Sequence, residues 1–139
     1  MMCDISRTLI VGDTQPNPKQ SDLHAIASEV IENNFPLLTP GRSFRDLTHD
    51  AMLPDPDSYR HYSCLFHGVG QCDEFPNIVM PEAWADFGCE GTLEAGMVLT
   101  VESFVGRRDG GEGVKLEIQA LVTEDGPQRL DFSSLELSR

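Results

Sequence analysis

The sequence is poor in paired cysteines, long apolar runs and positive charge, and each shortage removes a class of protein. Its four cysteines (Cys3, Cys64, Cys72 and Cys89) show no CxxC spacing, so a zinc ribbon is unsupported. No stretch approaches the roughly 20 consecutive apolar residues that span a bilayer. No signal-peptide pattern precedes the cysteines, and the expectation is a cytoplasmic protein with reduced thiols. Lys and Arg number 10 against 23 Asp and Glu, a net charge of −13. Nucleic acid and anionic membranes both call for a basic footprint, so neither is expected as a partner.

What remains is an ordinary globular composition. The 139 residues are 40% hydrophobic and 24% charged, enough for one domain with its own core. Most of the acidic residues suit a solvated surface. A clustered subset would suit a hard or borderline cation.

Local patterns set an order of elements. Thr8 to Val11 is a short β-prone run closed by Gly12-Asp13. Asn17, Pro18 and Gln20 read as N-cap, first-turn proline and capping-box partner, and Leu23, Ile26, Ala27, Val30 and Ile31 follow on one helical face. Asn33-Asn34 is the stop, and Pro40-Gly41 is a turn. Ser43 caps a shorter helix that buries Phe44, Leu47 and Ala51. A strand over Tyr62 to Phe66 runs into His67-Gly68-Val69-Gly70, followed by a mostly irregular excursion over residues 71–92. Loops of that length are usually functional. Met97 to Phe104 and Val114 to Thr123 form an antiparallel hairpin, and Arg129 to Phe132 is a last short strand.

Alternation along the hairpin puts Thr100, Glu102 and Phe104 on one face of the first strand, and Lys115, Glu117, Gln119 and Leu121 together on the second. Glu102 and Glu117 sit mid-strand among apolar neighbours. They either face solvent or are buried, and a buried carboxylate is costly unless paired, protonated or metal-bound. His67 follows an apolar strand, and Gly68 and Gly70 would leave its imidazole accessible. A lone histidine after a strand is more often structural than a ligand, and Asp4 by itself carries almost no signal.

The ordered set is more specific. Asp4-Ile5-Ser6-Arg7-Thr8, His67-Gly68-Val69-Gly70, the run from Leu93 to Glu102, and Gly113-Val114-Lys115-Leu116-Glu117 follow one another in the chain. Together with Val-Thr-Glu-Asp-Gly ending at Gly126 they resemble the creatinase, methionine aminopeptidase and Xaa-Pro peptidase superfamily, M24. That resemblance implies an α+β pita-bread fold, here its C-terminal half, with a curved antiparallel sheet and helices packed on one face. It also implies a site for two divalent metal ions (Fe, Mn, Zn or Co). Asp4 and Glu117 would bridge them, and His67 and Glu102 would bind one. A small-molecule or short-peptide substrate and a homodimeric full-length parent are implied as well.

The chain departs from the family pattern twice. The family's first metal-binding aspartate lies before the second, and only three residues precede Asp4. The expectation is therefore a single partial domain, 1–139, with the N-terminal half missing and no complete dinuclear site unless another chain supplies it. Peptidases of the family also carry a histidine where Glu74 stands here. The run His67-Gly68-Val69-Gly70-Gln71-Cys72-Asp73-Glu74-Phe75-Pro76 instead resembles the dimethylsulfoniopropionate lyase branch (DddP-like), as does Tyr62. That likeness makes Asp73 the base of a β-elimination and Tyr62 a pocket residue. Three functions are implied: a metal-dependent lyase, a metallopeptidase or amidohydrolase on the same scaffold, or a truncated and inactive remnant.

Overall fold

A computed structural model describes residues 3–61, 64–71 and 74–137. Its centre is a six-stranded sheet. The strands are β1 (Tyr59–Arg60), β2 (Cys64–Gly68), β3 (Asn77–Val79), β4 (Val98–Arg107), β5 (Gly113–Thr123) and β6 (Gly126–Arg129). They run in the order β3-β2-β4-β5-β6, with β1 beside the far end of β4, and every pairing is antiparallel. The helices are α1 (Pro18–Asn34), α2 (Phe44–Asp50) and the single turn α3 (Trp84–Phe87). No helix of the described residues is long and apolar enough to cross a membrane.

α1 forms where its signals lie. The Asn17 side chain accepts from the Gln20 amide at 3.0 Å, and Gln20 returns the bond to the Asn17 amide at 2.8 Å. Both bonds satisfy donors that the first turn leaves open. The apolar face of α1 lies on β4 and β5. Leu23, Ala27 and Ile31 share one core with Leu99, Val101, Leu116 and Ile118. At the helix end Asn34 is fully buried and grips Met52 through both its amide and its carbonyl oxygen. Ser43 caps α2 by accepting from the Asp46 amide.

Four local expectations are corrected. Thr8 to Val11 is not a strand. Ser6 bridges Glu117 and Leu9 makes one isolated bridge, and between them the Thr8 hydroxyl pairs with the Lys115 N–H and C=O. β2 reaches Gly68, so His67 lies inside a strand. Residues 71–92 hold β3, a 3-10 turn over Pro81–Ala83 and α3, because Ile78 and Val79 are buried against β2. The last strand runs over Gly126–Arg129, where Pro127 faces Val122, and ends before Asp131, which ion pairs hold.

Gly68 makes the β2–β3 packing possible. A Cβ there would stand 1.9 Å from the Phe75 carbonyl oxygen.

Burial sets the expected stability effects. Leu116 is fully buried in the core, whereas Phe132 is fully exposed. Leu116→Ala should cost about 2–5 kcal/mol in urea unfolding, and Phe132→Ala should stay within about 0.5 kcal/mol. Equal effects at the two positions would contradict this packing.

Candidate metal centre

The face of β4 and β5 opposite α1 carries the polar groups. Glu102 lies directly across from Glu117, Thr100 from Gln119, and Phe104 from Lys115. The alternation expected from sequence is realised, and the question it left open is settled toward burial. Glu102 is 7% exposed and Glu117 is 0% exposed. β2 lies against the other side of β4, pairing His67 with Thr100. This brings the imidazole, 3% exposed, over the same face.

Three carboxylates approach one nitrogen. His67 Nε2 is 3.2 Å from Glu117 Oε1, 3.5 Å from Glu102 Oε2 and 3.9 Å from Asp4 Oδ2. One ligand atom each from Asp4, His67 and Glu117 lie within 4.8 Å of one another. Bonds of about 2.0–2.2 Å to nitrogen and oxygen suit such spacings after small side-chain adjustments. Asp4 is half-exposed, at the rim. Asp4, Cys64, His67, Glu74, Asn77, Glu102 and Lys115 line a cavity of about 280 Å³. Among the described residues, the buried Asn77 Oδ1 accepts no hydrogen bond. Tyr62 and Asp73, expected as pocket residue and base, lie outside the described residues.

The electrostatics follow from this crowding. Burial opposes a charged His67. Hydrogen bonds to Glu102 and Glu117, and from Nδ1 to the Gly68 carbonyl at 3.1 Å, outweigh it and push its pKa up to about 10. Burial would raise the Glu117 pKa, but His67, Lys115 and Ser6 together hold it below the usual carboxylate range. Asp4 is raised, first by burial and then by the Glu117 charge. The Cys64 thiol is pushed up to about 12 by burial and by Glu102, Glu74 and Glu117. It is a neutral wall rather than a nucleophile.

Sequence reasoning missed three supporting residues. Lys115 Nζ lies 3.3 Å from Glu102 Oε1 and 3.3 Å from Glu117 Oε2. Its place on the Glu117 face was the available signal. Ser6 donates to Glu117 Oε2 at 3.0 Å. Arg7 spends its guanidinium on the Ser6, Glu117, Ser133 and Ser134 carbonyls and on Asp131. It ties the Asp4 segment and the C-terminal segment to β5. No local pattern announced that role.

Comparison with known proteins shows the family. The model of metallopeptidase family M24 matches residues 1–124. This chain belongs to metallopeptidase family M24. It is 38% identical over 128 residues to the dimethylsulfoniopropionate lyase DddP of Roseovarius nubinhibens, covering 91% of this chain and 29% of that protein. It is 33% identical over 138 residues to the Xaa-Pro dipeptidase of Pyrococcus furiosus, covering 96% and 37%. Among solved structures, the Xaa-Pro dipeptidase of Bacillus anthracis superposes with a TM-score of 0.74 at 27% identity, over 98% of this chain and 37% of that one. The chain thus spans about a third of the length of these relatives, and its fold is the α+β pita-bread fold of the family.

The M24 family uses divalent metals, and the donor set here, three carboxylates and one imidazole, fits such an ion. An ion at Nε2 takes the place of the proton.

The raised His67 pKa sets a pH dependence for the metal-stripped chain. Protonated His67 is favoured in the folded state, so its contribution is complete below its ordinary value of 6.5 and is lost as pH rises through about 10. The urea midpoint should fall across that window, and His67→Gln should flatten the fall. A wild-type midpoint constant from pH 6.5 to 10 would contradict the charge assignment.

Proposed function

We propose that this chain is the metal-holding C-terminal part of an M24-type catalytic domain, 1–139. The enzyme it belongs to cleaves dimethylsulfoniopropionate by β-elimination to dimethyl sulfide and acrylate. The observation that carries this reading is the acidic Glu74 on the cavity wall, at the position where family peptidases, by resemblance, carry a histidine. The 38% identity to a dimethylsulfoniopropionate lyase supports it.

Asp4, His67, Glu102 and Glu117 would hold the metal. Iron, manganese, zinc and cobalt all suit an oxygen-rich site with one imidazole. When bound, the metal supplies Lewis acidity that holds the substrate carboxylate and acidifies the neighbouring C–H. Asp73 is the proposed base that removes that proton. The C–H electron pair becomes the acrylate double bond, and the C–S pair leaves with neutral dimethyl sulfide. Tyr62 is the proposed pocket residue. Both roles rest on resemblance. A carboxylate base works well only with its pKa raised toward neutrality, which partial desolvation would supply. The full-length parent is proposed to be a homodimer in the cytoplasm.

A second reading is an Xaa-Pro-type peptidase or amidohydrolase. The 33% identity to an Xaa-Pro dipeptidase favours it, and Glu74 in place of the histidine counts against it. An inactive remnant is the third.

The readings separate in one assay of the metal-loaded full-length parent. Dimethyl sulfide release without Xaa-Pro cleavage is expected, and Asp73→Asn should lower turnover by about 10² or more. Xaa-Pro cleavage alone would move the assignment to the second reading, and inactivity toward both substrates to the third. Unchanged turnover in Asp73→Asn would remove Asp73 as the base.

A further inference from the structure

The carboxylates of the centre are divided between two cationic groups. Glu102 turns Oε2 toward His67 and Oε1 toward Lys115. Glu117 does the same, with Oε1 toward His67 and Oε2 toward Lys115. Glu117 Oε2 also accepts the Ser6 hydroxyl at 3.0 Å. Each of these two glutamates therefore turns one oxygen to His67 Nε2 and the other to Lys115.

Lys115 is well fixed for this. It lies two residues from Glu117 on the same face of β5, and Thr8 Oγ1 brackets its backbone, donating to its carbonyl at 3.0 Å and accepting from its amide at 3.1 Å. An ion sharing Glu117 through Oε2 would meet an ammonium on the same oxygen, and two like charges at that distance repel strongly in a partly desolvated site.

We propose that Lys115 takes the place of a second cation, so that this chain binds one divalent ion and not two. The inference rests on the metal reading given above, and it concerns the number of ions rather than the reaction.

The test is manganese binding to the 139-residue chain, read by equilibrium dialysis with elemental analysis and by electron paramagnetic resonance. One Mn²⁺ per chain, with the six-line spectrum of an isolated ion, is expected. Two ions per chain, with an exchange-coupled spectrum, would overturn the proposal and leave the metal reading intact. Zero ions would overturn both. Lys115→Gln should admit a second ion, whereas Lys115→Arg, which keeps the charge, should stay at one. A folded Lys115→Gln chain that still holds one ion would remove the lysine from the account. Should Lys115→Gln not fold, Lys115→Met read in the same way decides the role of the lysine: a second ion supports it and a single ion removes it.

Discussion

Two glutamates face each other across one rung of the β4–β5 ladder, and both are buried. Like charges directly opposite on adjacent strands destabilise a sheet, and burial adds a desolvation cost to each. The structure around them answers that constraint. His67 arrives from β2 and Lys115 from β5, and Ser6 arrives on a segment that Arg7 clamps in place. This gathering of negative charge around one imidazole nitrogen is a donor set that a cation would fit.

The sheet makes this arrangement possible by separating its two faces. One face of β4 and β5 is given to Leu99, Val101, Leu116 and Ile118, which α1 covers. That packing supplies the hydrophobic stabilisation and fixes the strand register. A register shift of one residue would bring the glutamates into the core under α1. The apolar face and the polar face are therefore one decision, made once along each strand. Glu74 and Asn77 add to the cavity wall, and the backbone at Phe75 can lie close to β2 because Gly68 has no side chain.

Much of this was legible in the sequence. The capping box at Asn17 and Gln20 located α1 to the residue, and period-two alternation grouped Glu102 with Thr100 and Phe104, and Glu117 with Lys115 and Gln119; the strand register then set the two glutamates opposite each other. Alternation says which face a residue takes, not whether that face is covered. The covering comes from the Asp4–Thr8 segment and from β2, both distant in sequence. His67 read as a residue after a strand because Gly68 and Gly70 look like breakers. Here Gly68 is instead the last residue of β2, where the loop must approach closely. Lys115 read as one more charge on an alternating strand, and only the register shows it between two carboxylates. Apart from its bond to the Ser6 carbonyl, Arg7 makes its hydrogen bonds across the fold, which no local pattern encodes. The ordered motifs did carry the family, and the family match over residues 1–124 agrees with them.

The central claim is that the buried carboxylates and His67 form a metal centre. Crystals of the chain grown with Mn²⁺ and measured above the manganese absorption edge test it most directly. The account predicts anomalous density within bonding distance of His67 Nε2, between Glu102 and Glu117 and open to Asp4. A cavity without that density, with manganese bound only at surface carboxylates, would contradict it.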